Sequence, residues 1–223
     1  MIGTLYGVGV GPGDPELMTL KSVRLIKENN VIAATGKTLD NSTAYKIALS
    51  AIPEIADKER LHIHMPMEKD RDQIGKAHHI AAHQISIYLD QGRNVVYLTL
   101  GDPTIYCSFG YIAHILKSDG YPVEFVSGVS SFCAVSARLK RPLVEWDESL
   151  HIIPVTCRDI DIKSGTYVLM KATGELNKIK EMIREIGRSA SMVENCGMVN
   201  ERIYEGIEKM PDSTGYYSTI IVK

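Results

Sequence analysis

The chain has 223 residues, 44% of them hydrophobic and 23% charged, with a formal net charge of −2 at pH 7. That length suits one large domain or two small ones, each able to bury a core, and the composition is that of an ordinary globular protein. The nearly balanced charge offers no basic field to nucleic acid or an anionic membrane, and no apolar run approaches bilayer-spanning length. The first residues lead into a strand without a charged n-region and apolar h-region, so no secretory leader is expected and the cytoplasm is the expected location. Cys107, Cys133, Cys157 and Cys196 are scattered without a C-x-x-C pair. They read as small buried hydrophobes rather than a disulfide framework or a metal site.

In chain order, 4–10 reads as a buried strand. Asp14 then serves as an N-cap, Pro15 takes the first helical position and Glu16 suits the positive helix end. Leu17, Leu20, Val23 and Ile26 give that helix an apolar face to about Asn29. A strand over 31–34, a helix over 42–50 and a strand over 61–64 follow. The polar segment 65–72 reads as a connector over a cleft, leading into a helix that ends near Gly92. The pattern then predicts a strand at 94–100 and a helix at 104–117. A break is expected at Ser118-Asp119-Gly120-Tyr121-Pro122, giving lobes 1–118 and 122–223. Beyond it come strand 123–126, helix 130–139, strands 150–155 and 166–170, helix 175–187, and strands at 191–195, 202–206 and 217–222. This alternation predicts two α/β lobes.

Three strand ends carry turns of unusual composition. The first, Tyr6-Gly7-Val8-Gly9-Val10-Gly11-Pro12-Gly13-Asp14-Pro15, looks like a dinucleotide fingerprint and fails as one. The third glycine of G-x-G-x-x-G falls on Pro12 when read from Gly7 and on Asp14 when read from Gly9. Neither residue lets a diphosphate sit on free N–H groups at a helix start, and Asp14 repels it. The second turn, Gly101-Asp102-Pro103, ends an apolar strand, and the third is Gly128-Val129-Ser130-Ser131. All three occupy the carboxyl ends of strands, where α/β lobes bind ligands.

The first turn together with Tyr97-Leu98-Thr99-Leu100-Gly101-Asp102-Pro103-Thr104-Ile105-Tyr106 resembles the tetrapyrrole (corrin/porphyrin) methylase family. Gly128 to Phe132, Ala137-Arg138-Leu139, Pro142-Leu143-Val144-Glu145 and Leu150-His151-Ile152-Ile153-Pro154 are similar to its precorrin-2 / cobalt-factor-2 C(20)-methyltransferase branch. The resemblance runs from Leu5 to about Val222. It implies the two-lobed α/β fold of the class III S-adenosylmethionine methyltransferases, with the cofactor in the cleft between lobes, and a homodimer. It implies S-adenosylmethionine as co-substrate and methyl transfer to the C(20) meso carbon of a tetrapyrrole in cobalamin synthesis. Cofactor contacts carried over from the family fall on Pro12, Gly101, Asp102, Ile105, Ser130, Ser131, Lys171, Ala172, Thr219 and Ile220. At the position aligned with Lys171 the uroporphyrinogen methylases have methionine, which puts any side-chain role there in doubt.

Several alternatives stay open. Asp102 either caps the helix expected from Thr104 or bonds polar methionine or ribose groups of the cofactor, or does both. The tetrapyrrole is either metal-free precorrin-2 or cobalt-factor-2, and no residue stands out as a general base. Methylation at another ring carbon or of uroporphyrinogen III, or a non-catalytic S-adenosylmethionine-binding module, are the competing functions. Lys37, Lys69, Arg71 and Arg138 are the cations singled out for the substrate's carboxylates. His79 and His83 stand at i, i+4 and His62 and His64 share a strand face, but without a third ligand in register no protein-bound metal is expected.

Overall fold

The computed structural model describes residues 1–66, 70–155, 160 and 162–223, with Arg71 and Glu175 described by backbone alone. The chain divides into two compact units, Met1–Ser130 and Ser131–Lys223. The first contains β1 (Leu5–Gly9), α1 (Leu20–Glu28), β2 (Val31–Thr35), α2 (Thr43–Ala51), β3 (Glu59–Ile63), α3 (Arg71–Asp90), β4 (Val95–Thr99), α4 (Phe109–Ser118) and β5 (Val123–Val126).

These strands lie parallel in the order β3-β2-β4-β1-β5. Parallel neighbours require crossovers, and each crossover here carries one helix. Alternation along the strands splits the core in two. Ile32, Ala34, Val96 and Leu98 pack with Leu25, Ile26, Tyr45 and Ala48 of α1 and α2. Val31, Ala33, Val95 and Tyr97 pack with Ala81, Ile85, Ile112 and Leu116 of α3 and α4. Burial on both faces is why these strands read as unbroken apolar runs rather than alternating ones. Lys58 closes α1, its Nζ donating to the carbonyls of Ile26 (2.6 Å), Lys27 (2.7 Å) and Asn29 (2.7 Å). A cation at that end satisfies the last carbonyls and opposes the helix dipole.

The second unit contains α5 (Ser131–Arg138), β6 (Leu150–Pro154), β7 (Thr166–Met170), β8 (Gly174–Glu175), α6 (Asn177–Glu185), β9 (Ala190–Glu194), β10 (Arg202–Glu205), β11 (Ser213–Thr214) and β12 (Ser218–Val222). Its main sheet has the order β10-β9-β12-β7-β6, antiparallel except for the parallel pair β6 and β7. The short strands β8 and β11 form a separate antiparallel ribbon. Tyr167, Leu169, Met192, Ile220 and Val222 make one face of a core that Leu176, Ile179 and Ile183 cover.

Four expectations from the sequence change. The division falls after Ser130 rather than at 118–122. The reason is β5, which pairs with β1 from Leu5↔Val123 to Val8↔Val126, so 118–122 is a turn inside the first unit. The single helix expected from Asp14 to Asn29 is two pieces, a 3-10 turn at Pro15–Leu17 and α1. Thr19 restarts the chain as a second N-cap, its Oγ1 accepting from the Ser22 N–H at 3.1 Å, and Leu20 is left 90% exposed. Helix α4 begins at Phe109 and not at 104, because Tyr106 adopts a left-handed φ of 45° that an α-helix does not tolerate. Helix α6 begins at Asn177 because Gly174–Glu175 is held in the ribbon with Ser213–Thr214.

Candidate functional site

In the first unit β1 and β4 are neighbours, yet α1 after β1 packs on one face and α4 after β4 packs on the other. Chains that leave adjacent strands toward opposite faces open a crevice beyond the carboxyl ends. The first two glycine turns leave the sheet at that point.

There the turns touch backbone to backbone. The Gly101 N–H donates to the Gly11 carbonyl at 2.8 Å, and the Val10 N–H donates to the Thr99 carbonyl at 3.0 Å. Gly11 and Gly101 both have left-handed φ, 78° and 69°. A Cβ on Gly9 would lie 2.5 Å from the Gly101 carbonyl oxygen and 2.7 Å from the Gly128 Cα. A Cβ on Gly128 would strike that same oxygen. Close approach among three turns therefore requires glycine at 9 and 128, and a ligand is not needed to explain it.

Asp102 locks this arrangement. Its Oδ1 accepts from the Thr104 N–H (2.8 Å) and the Thr104 hydroxyl (2.5 Å), and its Oδ2 accepts from the Gly128 N–H (3.0 Å). Both carboxylate oxygens are thus engaged by protein donors, and the second turn is tied to the third. No helix begins at Thr104, so Asp102 does not cap one; its carboxylate holds the turn at Thr104 and ties it to Gly128. Pro12 and Gly101 are buried beside it, Ile105 follows with its N–H on the Asp102 carbonyl (3.3 Å), and Ser130 ends the third turn. The structure therefore brings Pro12, Gly101, Asp102 and Ile105 into one neighbourhood. Asp14 explains the failed fingerprint: its own carboxylate accepts from the Glu16 N–H at 2.9 Å and caps only a three-residue 3-10 turn. The N–H that a diphosphate would use is taken, and a carboxylate stands in the anion's place.

The remaining candidates lie in the second unit. Ser131 opens α5, and Lys171, Ala172, Thr219 and Ile220 lie where β7 ends and β12 begins. Thr219 pairs with Met170 and Ile220 with Leu169, and the Ala172 N–H donates to the Ser218 carbonyl at 3.2 Å. Ala172 and Ile220 put their side chains into the core, so at these two positions only backbone is left for a ligand. Lys171 takes a left-handed φ of 55° as the strand turns, a conformation that costs a residue with a side chain about 1–3 kcal/mol.

Beside them is a polar cluster that sequence reasoning leaves out. The Tyr204 hydroxyl donates to Glu194 at 2.9 Å and the Thr214 hydroxyl donates to the other oxygen of that carboxylate. Thr214 has one proton and spends it on Glu194, so the Ser218 hydroxyl donates to Thr214 across 2.5 Å. Glu194 itself is only 9% exposed. In the sequence this carboxylate ends an ordinary strand, and nothing marks the hydroxyls that fold brings to it.

The cations separate. Lys37 is exposed on the turn after β2. Lys69 and the side chain of Arg71 lie outside the described residues. Arg138 is committed to Glu201, with Nε and Nη2 at 2.9 and 2.5 Å from one carboxylate oxygen. Burial works to raise the Glu201 carboxyl, but hydrogen bonds from Arg138 and the Gly197 N–H outweigh it and hold the group below its ordinary value. A substrate carboxylate would have to displace Glu201 to reach Arg138. Of the histidines singled out above, His62 pairs its Nε2 with the Gly36 carbonyl at 2.8 Å; His78, not among them, stacks on Tyr111 with ring centres 4.8 Å apart. Burial, with His79 nearby, pushes the His78 imidazole below its ordinary value. Among the described residues no three His, Cys, Asp or Glu side chains gather so as to hold a metal ion.

Comparison with known proteins gives the family of the chain. The family described as Tetrapyrrole (Corrin/Porphyrin) Methylases matches residues 4–210. A probable cobalt-precorrin-2 C(20)-methyltransferase of Methanocaldococcus jannaschii is 36% identical over 82% of this chain and 78% of its own. A precorrin-2 C(20)-methyltransferase of Sinorhizobium sp is 28% identical over 99% of this chain and 95% of its own. Among solved structures, a uroporphyrin-III C-methyltransferase of Thermus thermophilus complexed with S-adenyl homocysteine superimposes with a TM-score of 0.69. It is 22% identical, over 99% of this chain and 97% of that one.

Proposed function

The chain belongs to the tetrapyrrole methylases, and from that premise we propose that it methylates the C(20) meso carbon of precorrin-2 or cobalt-factor-2 in cobalamin synthesis, using S-adenosylmethionine. The observation that carries this reading is the similarity, over most of the chain, to two C(20)-methyltransferases. S-adenosylmethionine supplies a methyl group already activated on sulfur. What the protein must add is alignment of that methyl with an electron-rich carbon and exclusion of water.

The switch-point crevice suits a ligand without a diphosphate, because Asp14 occupies the anion's place. In this reading Pro12, Gly101, Asp102 and Ile105 present mainly backbone to the cofactor, since the Asp102 carboxylate is already engaged. Ser130 and Ser131 contribute at the third turn, and Lys171, Ala172, Thr219 and Ile220 contribute through backbone. Lys37, Lys69 and Arg71 are the cations proposed for the substrate's carboxylates. As the new carbon–carbon bond forms, the C(20) proton leaves to water or a substrate nitrogen. A cytoplasmic homodimer is part of the same reading. Among the described residues no helix is long and apolar enough to cross a membrane.

The test is incubation with methyl-labelled S-adenosylmethionine and, separately, precorrin-2, cobalt-factor-2 and uroporphyrinogen III. Label at C(20) of one of the first two is the expected result. Label at another ring carbon, or cofactor binding without transfer to any of the three, overturns the reading.

A further inference from the structure

We propose that the N-terminus of α4 holds a carboxylate of the tetrapyrrole through Ser108, with the Tyr97 hydroxyl behind it as a positioning group; the assignment rests on the function above. Helix α4 spans ten residues, and Ser108 stands at its N-cap without making a side-chain cap hydrogen bond. The Gly110 N–H donates to the Cys107 carbonyl at 3.3 Å and the Tyr111 N–H to the Ser108 carbonyl at 3.1 Å. The N–H groups of Ser108 and Phe109 find no acceptor among the described residues. A Cβ on Gly110 would meet nothing within 4 Å, so there is open space beside this first turn. Unpaired N–H groups at the positive end of a helix suit an anion.

Tyr97 points to the same place from below. It is 1% exposed, and its hydroxyl is buried without a hydrogen bond. The groups around that hydroxyl are Ser108, Thr35 and Cys107. Burial pushes the phenol above its ordinary value, so it keeps its proton and is a donor in want of an acceptor. A buried hydroxyl left unpaired is costly, and Ser108 can complete it. The serine hydroxyl has one proton and two acceptor positions. When that proton turns toward an anion at the helix start, the oxygen is left to accept from Tyr97, and the two bonds strengthen each other. Ring contacts hold the parts in place: the Tyr97 and Phe109 centres are 5.3 Å apart, and Phe109 meets Phe125 edge-on at 5.0 Å.

This place lies on the other flank of β4 from the cofactor turns. Strand β4 sits between β1 and β2. The glycine turns close on the β1 side, whereas Thr35 ends β2 on the opposite side. Lys37, proposed above for a substrate carboxylate, follows Thr35 by two residues. Charge then selects the ligand. The one carboxylate of S-adenosylmethionine has an ammonium beside it, which a helix N-terminus repels. Precorrin-2 and cobalt-factor-2 are fringed by carboxylates without such a companion, and charge complementarity favours them.

Variants of the full chain test this: Tyr97→Phe, Ser108→Ala, the two together, and Ser108→Thr, which keeps the hydroxyl. Steady-state methylation of whichever of precorrin-2 and cobalt-factor-2 is the substrate gives KM. Calorimetry with S-adenosylhomocysteine gives the cofactor-site Kd, and urea melts give the stability of the ligand-free chain. Tyr97→Phe and Ser108→Ala should each raise KM about 3- to 20-fold while leaving the Kd within about twofold. The double variant should raise KM no further than Ser108→Ala alone, because Tyr97 acts through Ser108. Ser108→Thr should stay near wild type. The urea midpoint of Tyr97→Phe should hold or rise, since the hydroxyl it loses has no partner in the ligand-free chain. A lower midpoint makes that hydroxyl part of the fold and overturns the proposal. So does a raised Kd with an unmoved KM, which assigns the helix start to the cofactor's carboxylate. Folded variants with both constants unchanged overturn it as well, and the proposed function then stands. A wild-type chain that binds S-adenosylhomocysteine but methylates neither tetrapyrrole overturns function and subsite together.

Discussion

The two candidate regions are built from different materials. In the first unit the crevice is made of backbone: three turns pressed together at Gly9, Gly101 and Gly128, with one carboxylate spanning two of them. At the end of β7 in the second unit, the arrangement is made of side chains: Lys171 over the Tyr216 ring, Tyr217 edge to face with it, and nearby Glu194 accepting from the Tyr204 and Thr214 hydroxyls. A backbone-built site tolerates no side chain where the turns touch, but is indifferent to much else. A side-chain-built site tolerates backbone neighbours of many kinds, but is sensitive to the groups that hold its donors.

The sharpest way to break this contrast is Gly128→Val. The branched side chain meets the Gly101 oxygen, so the third turn must move, and S-adenosylhomocysteine binding should be lost in calorimetry. Retained affinity would mean that the turns do not form the cofactor site. Asp102→Asn comes next. The amide keeps one acceptor but turns its NH2 toward either the Gly128 or the Thr104 donor, leaving a partly buried N–H unsatisfied. That defect costs about 1–3 kcal/mol, so a Kd about 5- to 150-fold higher is expected. Thr104→Val, which spares the tie to Gly128, should change the Kd by less than about threefold.

Glu194→Gln probes the other region. It leaves Tyr204 or Thr214 without an acceptor and should lower stability to denaturant by about 1–2 kcal/mol, with little change in S-adenosylhomocysteine affinity. Equal losses in stability and cofactor affinity would erase the distinction drawn here. The smallest effect concerns His78, which lies in neither region. Its folded-state pKa is depressed below the ordinary 6.5, so the unfolded chain binds the proton first. The stability it contributes is present above pH 6.5 and is lost as pH falls through the folded-state value. Thermal melts should show the midpoint dropping across that window, and the drop should flatten in His78→Phe.

The same contrast explains what could be read from the sequence. The runs 31–34 and 95–98 are apolar on both faces, and this alone announces parallel strands between helices. Glycines at strand ends mark the first region because a backbone-built site must spend glycine where backbones meet. The boundary misreading has the opposite cause. Gly120 and Pro122 punctuate the chain as strongly as a linker would, and only the pairing of Val123–Val126 with β1 reveals that they lie inside a unit. Glu194, Thr214 and Ser218 left no trace because hydroxyls and a carboxylate at separate strand ends have no local pattern. Lys171 stood out only through the family resemblance, and no local pattern announces the Tyr216 ring that the fold places beside it.

The position of β1 has a consequence for how the protein is made. It leaves the ribosome before the other strands of its sheet, yet it sits between β4 and β5, whose pairing residues begin at Val95 and Val123. An apolar strand with both edges unpaired must therefore wait while most of the first unit is synthesised, at about 5–20 residues per second. Pairing at such sequence separation is entropically slow, and the waiting edge is open to other chains. The strand that carries the glycine turn is thus made before its sheet neighbours and is among the last fixed, and nascent chains halted before β4 should depend on chaperones more than chains halted after β5.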